Sequence, residues 1–118
     1  MDNLIFVFGS NRAGRHGKGA ALAARREWGA EYGVGEGRTG DAYAIPTKGY
    51  YLERLSLRDI QKHVDNFIDY AWKHPELTFF VTRIGCGLAG YKDREIAPMF
   101  AGVPGNCKLP KEWNEINN

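Results

Sequence analysis

Two turns in this sequence are rich in glycine and alanine, and main-chain amides in such turns bind phosphate. The first runs from Gly9 to Ala21 and the second from Gly85 to Tyr91, each after an apolar run and before a helix-like stretch. Glycine lets backbone N–H groups approach an oxyanion closely, and the start of a helix adds a partial positive charge. Two such turns in a chain of 118 residues predict a ligand with a diphosphate or with two separated anionic groups.

Neither turn matches a common nucleotide-binding motif. A Walker loop ends in Gly-Lys followed by Ser or Thr, whereas Gly19 follows Lys18 here and Arg12 occupies the position of the first glycine. The dinucleotide pattern GxGxxG also fails, because Leu22 stands where the third glycine belongs. The sequence therefore argues against a P-loop and against a Rossmann site, and we expect no cofactor.

Alternating strand and helix patterns position the two turns. The continuous apolar run at 4–8 predicts a strand buried on both faces of a parallel sheet, and residues 77–84 predict a second buried strand. Further elements are predicted as a strand at 41–47, a helix at 20–28, a helix between Ser56 and Pro75, a short helix at 93–100 and a short strand at 106–109. Residues 33–41 contain four glycines and predict a loop that acts as a lid. The alternation predicts one α/β domain over residues 1–118 with a mixed, mostly parallel sheet.

Composition and charge exclude several classes of protein. With 43% hydrophobic and 25% charged residues and no long apolar run, the chain is predicted to be soluble and to have no membrane contact. The first residues lack the features of a signal peptide, which predicts a cytoplasmic location. Cys86 and Cys107 have no partners at metal spacing, so we expect no metal site. A net charge of +2 is too slight to predict nucleic-acid binding by itself.

The residues of the two turns resemble the macrodomain family of ADP-ribose-binding α/β modules. Gly85–Tyr91 is similar to the family's phosphate loop along the whole motif, and Asn11 with Gly17–Ala21 resembles its asparagine and glycine-rich turn. The most similar branch holds terminal ADP-ribose–glutamate hydrolases and antitoxins that remove ADP-ribose from DNA, which share the patterns at 83–88 and at Thr47-Lys48. The resemblance covers residues 4–109 and implies a compact variant of the three-layer macrodomain fold.

The resemblance implies a role for each matching position. The amides of the second turn would wrap the diphosphate, Tyr91 would pack on the distal ribose, and Asn11 would hydrogen-bond that ribose. Lys48 would attack or polarise the anomeric carbon, because that branch places a lysine after the same strand. The implied ligand-binding residues are Gly9, Ser10, Asn11, Gly17, Gly19, Ala20, Ala21, Thr47, Gly85, Cys86, Gly87, Leu88, Ala89, Gly90 and Tyr91.

The sequence departs from the family at two points. Ala89 stands where the glutamate-specific hydrolases carry an acidic residue. Asp93 lies four residues on and Asp41 precedes the central strand, but nothing in the sequence brings either beside Lys48. The chain also begins almost at its first strand, without the Gly-Asp motif that reads adenine in the family, and Asp2 is a poor substitute.

We therefore expect a protein that binds ADP-ribose or a close relative and removes ADP-ribose from a protein or nucleic-acid conjugate through Lys48. One alternative is a non-catalytic module that recognises a nucleotide signal. Another is a single-strand nucleic-acid binder, which would use the basic side chains of the first turn and the tyrosines.

Two side chains in the turns have reactive groups of their own. Cys86 is either a nucleophile at a helix start or the small residue that the loop requires. His16 is either a phosphate contact or proton shuttle, or an exposed loop side chain.

Overall fold

A five-stranded mixed sheet forms the centre of the protein in a computed structural model that describes residues 3–117. Asp2, the poor substitute for an adenine-reading aspartate, lies outside the described residues. The strands are β1 (Leu4–Asn11), β2 (Gly37–Thr39), β3 (Ala42–Lys48), β4 (Thr78–Val81) and β5 (Cys107–Lys108). The α-helices are α1 (Gly19–Glu27), α2 (Leu57–Lys73), α3 (Asp93–Ile96) and α4 (Asn114–Asn117), with 3-10 turns at Ala97–Phe100 and Lys111–Trp113.

The sheet has the strand order β2-β3-β1-β4-β5 and is mostly parallel. Strands β3, β1, β4 and β5 run in the same direction, and β2 pairs antiparallel with β3 at one edge. The prediction that residues 33–41 form only a loop is wrong, because 37–39 make this edge strand. Arg38 lies opposite Tyr43 there, and Gly40 with a φ of +56° makes the tight connection between the two strands.

Side chains of β1 alternate between two hydrophobic cores, as the continuous apolar run predicts. Ile5 and Val7 pack on one face of the sheet with the buried residues of α2, α3 and the first 3-10 turn. Phe6 and Phe8 pack on the other face with Ala21 and Ala24 of α1. Helices therefore cover both faces of the sheet, and the strand that carries the first glycine turn is held from both sides.

Helix α2 begins and ends close to the positions that the sequence predicts. The Ser56 hydroxyl accepts a hydrogen bond from the Asp59 amide at 3.1 Å, which caps the first turn of the helix. The helix ends at Lys73, before Pro75. The predicted short helix at 93–100 is instead one turn of α-helix followed by a 3-10 turn.

The helices that follow neighbouring strands pack on opposite faces of the sheet. After β1 it enters α1, which packs on the face of Phe6 and Phe8. After β3 and β4 it enters α2 and α3, which pack on the face of Ile5 and Val7. A crevice opens at the carboxyl ends of parallel strands where this change of side occurs. The topology therefore places a crevice at the end of β1, between the ends of β3 and β4.

The glycine-rich segment expected to be a lid packs on the loop that follows β1. The Gly33 amide donates to the Gly14 carbonyl at 2.9 Å, and the Glu36 carboxylate contacts His63 at 2.8 Å. Asn66 also donates to Glu36, at 3.1 Å. These contacts tie the segment to the body of the protein at several points. Among the described residues, no helix is long and apolar enough to cross a membrane.

Candidate functional site

A cleft of about 710 Å³ opens at the carboxyl end of β1. This volume lies within the range of about 300–1,000 Å³ that is usual for small-molecule sites. Both glycine turns line the cleft, and no residue of 33–41 does. The lining residues are Gly9, Ser10, Asn11, Arg15, Gly17, Lys18, Gly19, Ala20, Ala21, Tyr32, Thr47, Lys48, Leu52, Thr82, Arg83, Ile84, Gly85, Gly87, Leu88 and Ala89.

The first turn presents the uncapped start of α1 to this cleft. The amides of Gly19, Ala20 and Ala21 have no acceptor among the described residues, and the side chain of Lys18 does not cap the helix. No acidic residue occupies the first turn of α1. Three free N–H groups and the positive end of the helix dipole therefore face the cleft, which is the arrangement that binds anions.

Some backbone amides of the second turn form hydrogen bonds within the turn, and the others belong to residues that line the cleft. Three of them close the turn: Cys86 donates to Arg83 at 3.1 Å, Gly90 to Gly87 at 3.0 Å, and Tyr91 to Gly85 at 2.9 Å. Cys86, Gly90 and Tyr91 do not line the cleft. The amides of Gly85, Gly87, Leu88 and Ala89 have no acceptor among the described residues, and these four residues do line it.

The two turns approach each other at the end of β1. A methyl group on Gly19 would lie 4.0 Å from Leu88 Cδ1, and one on Gly9 would lie 3.7 Å from the Gly85 amide nitrogen. Gly85 itself has a φ of +75°, a conformation that glycine adopts without strain. Both turns therefore lie side by side at the carboxyl edge of the sheet.

The charged side chains that line the cleft are all cationic. They are Arg15, Lys18, Lys48 and Arg83, and no described aspartate or glutamate lines the cleft. Cationic walls and free amides give the cleft a positive potential that attracts anions. The same observation leaves the cleft without a carboxylate that could act as general acid or base.

The two carboxylates that could have replaced an acid at position 89 lie outside the cleft and have other partners. Asp93 accepts two hydrogen bonds from the Arg83 guanidinium, at 3.0 and 2.7 Å, and one from the Trp113 indole at 2.8 Å. The hydrogen bond from Arg83 is the main cause that lowers the pKa of Asp93 to about 2. Asp41 lies 3.9 Å from Arg38 in the β2–β3 hairpin. Neither carboxylate is placed to assist Lys48.

We expect Asp93→Asn to destabilise the protein near neutral pH and to have less effect in acid. The folded-state pKa of Asp93 is lowered from 3.8 to about 2, so ionised Asp93 stabilises the fold above pH 3.8 and this contribution is lost as the pH falls toward 2. Urea unfolding from about pH 6 down to about pH 2 should show the two proteins converging in acid. Asp69→Asn, which breaks an exposed pair with Lys73, is the control. A stability difference that does not change with pH would contradict the role of the charge.

Lys48 ends β3 and lies at the edge of the cleft. Its backbone carbonyl accepts a hydrogen bond from the Arg12 amide at 2.9 Å, where the β1–β3 register shifts between Ser10 and Asn11. Its side chain is half-buried and lines the cleft. Among residues 3–117, no carboxylate forms an ion pair with its ammonium group.

Two side chains that the resemblance assigns to the ribose have other partners. The Asn11 amide donates to the Arg15 carbonyl and accepts from the Arg15 amide, both at 2.9 Å, so it fixes the loop after β1. The Tyr91 hydroxyl donates to the Leu55 carbonyl at 2.7 Å, and the Arg54 guanidinium lies over the Tyr91 ring at 4.2 Å. Asn11 lines the cleft, but its side chain is already hydrogen-bonded to Arg15. Tyr91 fixes the end of the second turn to Leu55 and does not line the cleft.

Cys86 is half-buried and His16 is fully buried, and neither residue lines the cleft. Burial is the main cause that raises the pKa of the Cys86 thiol to about 12, which disfavours the nucleophilic thiolate. His16 was expected at the surface or at the phosphate, and both expectations are wrong. Its ring is fully buried, packs edge-on against Phe8 at 5.2 Å and does not line the cleft. Burial lowers the pKa of His16.

Several lining residues were not predicted from the sequence. Thr82, Arg83 and Ile84 immediately precede the second turn. This position in the sequence is the feature that could have identified them as lining residues. Tyr32 and Leu52 reach the cleft from loops far along the chain, and no local pattern marks them. Leu52 has a φ of +64°, which is unusual for a side chain of its size and often accompanies a functional site.

Comparisons with protein-family models, with curated proteins and with solved structures found no match. Fold and site define an α/β protein with a cleft at the carboxyl edge of a mixed sheet, lined by free backbone amides and cationic side chains.

Proposed function

We propose that this protein binds ADP-ribose or a closely related nucleotide in the cleft and removes ADP-ribose from a protein or nucleic-acid conjugate through Lys48. One observation carries the proposal. Two separate groups of backbone amides, at the start of α1 and in the second turn, have no acceptor within residues 3–117 and line the same cleft. A diphosphate carries two adjacent anionic groups, which fits two adjacent groups of donors.

The charges around the cleft support the same class of ligand. Arg15 and Lys18 line the wall beside α1 and form no ion pair with a described carboxylate, whereas Arg83 lines the opposite wall and is paired with Asp93 outside the cleft. Hydrogen bonds between N–H groups and a charged phosphate contribute about 1.5–3 kcal/mol each. Several of them together are enough to select a diphosphate over a neutral sugar.

The resemblance to macrodomains supports ADP-ribose in particular. The residues that resemble the family's two glycine turns all belong to the loops around the cleft, although Cys86, Gly90 and Tyr91 face away from it. The sheet with helices on both faces is compatible with the three-layer fold that the resemblance implies. The macrodomain assignment itself is part of the proposal.

Lys48 is the group that we propose for the chemistry. In its neutral form the amine attacks the anomeric carbon and forms a C–N bond, while the conjugated group leaves with the electron pair of the broken bond and takes up the proton that the amine loses. Water then cleaves the C–N bond, which releases ADP-ribose and regenerates the amine. In its charged form the ammonium group instead polarises the leaving oxygen, and water attacks the anomeric carbon directly. Because no described carboxylate lines the cleft, general base catalysis by aspartate or glutamate has no candidate there. A non-catalytic nucleotide-binding module is the second candidate, and the same lack of a carboxylate favours it.

A single-strand nucleic-acid binder is the third candidate. Tyr50 and Tyr51 follow Lys48 and are 63% and 91% exposed, so their rings are free to stack on bases. Such binding would depend steeply on salt, because backbone contacts release counterions.

We expect calorimetry to show that ADP-ribose binds more tightly than AMP, by about tenfold or more, because AMP fills only one of the two phosphate positions. A short single-stranded oligonucleotide should bind weakly or not at all at physiological salt. Equal affinities for ADP-ribose and AMP would contradict the two-phosphate site. Strong binding of the oligonucleotide with a steep salt dependence would favour the third candidate.

A further inference from the structure

The side chains that line the cleft offer many hydrogen-bond donors and few acceptors. Arg15, Lys18, Lys48 and Arg83 can only donate in their charged forms. Among the described residues, no aspartate, glutamate, glutamine or histidine lines the cleft. Of the side chains that most often accept hydrogen bonds from a nucleobase, only asparagine is present among the described lining residues, as Asn11.

The smaller polar side chains in the cleft are already occupied or buried. The oxygen and nitrogen of the Asn11 amide are both bonded to Arg15. Ser10 and Thr47 are each 4% exposed, and their hydroxyls donate to the carbonyls of Asn11 and Ser10. The remaining side-chain acceptors in the cleft are the hydroxyls of Thr82 and Tyr32. The Thr82 hydroxyl donates a hydrogen bond to the Val7 carbonyl.

A cleft with many hydrogen-bond donors and few side-chain acceptors is complementary to a diphosphate and not to one particular nucleobase. Phosphate oxygens are acceptors, so free amides and cations recognise them fully. The amino group of adenine is a donor and needs a fixed acceptor, and a bidentate contact of this kind discriminates between bases by about 5- to 140-fold.

We infer that the cleft selects its ligand by the diphosphate and the attached ribose and does not discriminate between nucleobases. The ligand class is then a nucleoside diphosphate ribose of any base. This inference rests on the proposed function, since it assumes that a nucleotide of this type occupies the cleft.

The test compares ADP-ribose with inosine diphosphate ribose, in which an oxo group replaces the amino group of the base. Calorimetric titration of the wild-type protein should give dissociation constants that differ by less than about fivefold, the lower limit for loss of a base-reading contact. A preference for ADP-ribose of about fivefold or more would overturn the inference while leaving the proposed function intact. If neither ligand binds, the proposed function fails and the inference fails with it.

A second measurement locates the source of the affinity. Inorganic pyrophosphate should displace both ligands, because it presents the same acceptors to the same amides. Gly87→Ala should weaken both ligands by the same factor, since Gly87 belongs to the diphosphate-binding turn. Failure of pyrophosphate to compete, or unequal losses for the two ligands, would overturn the inference.

Discussion

Gly87→Ala is expected to weaken ADP-ribose binding by about tenfold or more, which corresponds to loss of one hydrogen bond to a charged group. The free protein has no need for glycine at this position. A methyl group on Gly87 meets no atom within 4 Å, and the backbone conformation is one that alanine adopts without strain. The methyl group would instead occupy space beside the free amides of the second turn, where we place a phosphate.

The stability of this variant should be unchanged or slightly higher. Replacing glycine by alanine at a compatible position stabilises a protein by about 0.4–1 kcal/mol, because the unfolded chain loses conformational freedom. Thermal unfolding without ligand measures this, and calorimetry with ADP-ribose measures the loss of binding. Gly17→Ala is a second test in the first turn, because a methyl group there also meets no atom within 4 Å.

Gly105→Ala is the matched control for both variants. Gly105 is exposed, and a methyl group on it would also meet no atom within 4 Å. It lies before β5 and does not line the cleft. It should keep both its stability and its affinity for ADP-ribose. If Gly87→Ala and Gly17→Ala also kept full affinity, the glycine turns would not be the phosphate sites.

Lys48→Ala is expected to reduce release of ADP-ribose from a modified glutamate or thymidine substrate by about 100-fold or more, the usual scale for loss of a catalytic group. Binding of free ADP-ribose should persist, because the amides of both turns are untouched. Mass spectrometry of the released product measures turnover, and calorimetry measures binding on the same preparations.

Lys48→Arg separates the two roles proposed for the amine. Arginine keeps the positive charge but does not deprotonate, so it can polarise a leaving group and cannot attack the anomeric carbon. Retained turnover in Lys48→Arg would identify polarisation, and loss would identify attack. Lys108→Ala, on β5 and away from the cleft, is the control. Unchanged turnover in Lys48→Ala would exclude a catalytic role for Lys48.

Absence of turnover in the wild-type protein, together with tight binding of ADP-ribose, would favour the non-catalytic module. The cleft contains no described carboxylate, so a lysine has to act there without the usual acid or base. Binding and turnover measured together therefore separate the two leading candidates.

Much of the local structure was predictable because it depends on neighbouring residues. The apolar run at 4–8 marks a strand buried on both faces, and β1 confirms it. Ser56 followed by apolar residues at helical spacing marks α2, and the hydrogen bond from Asp59 confirms the cap. The short edge strand at 37–39 was missed, because glycine-rich segments carry little strand propensity and this strand exists through its pairing with β3.

The sequence by itself determined the two glycine turns, the strands that lead into them and the lysine that ends β3, since spacing and residue type define these features locally. Only the tertiary structure decided which amides are free, that His16 is buried, that Asn11 and Tyr91 are engaged elsewhere and that the charged side chains lining the cleft are cationic among the described residues. The contacts of Asn11 with Arg15 are local, whereas the partner of Tyr91 and the set of residues around the cleft come from distant parts of the chain. Tyr91 bonds to Leu55 and Asp93 to Trp113, and partners of this kind are set by packing, which a local pattern does not encode.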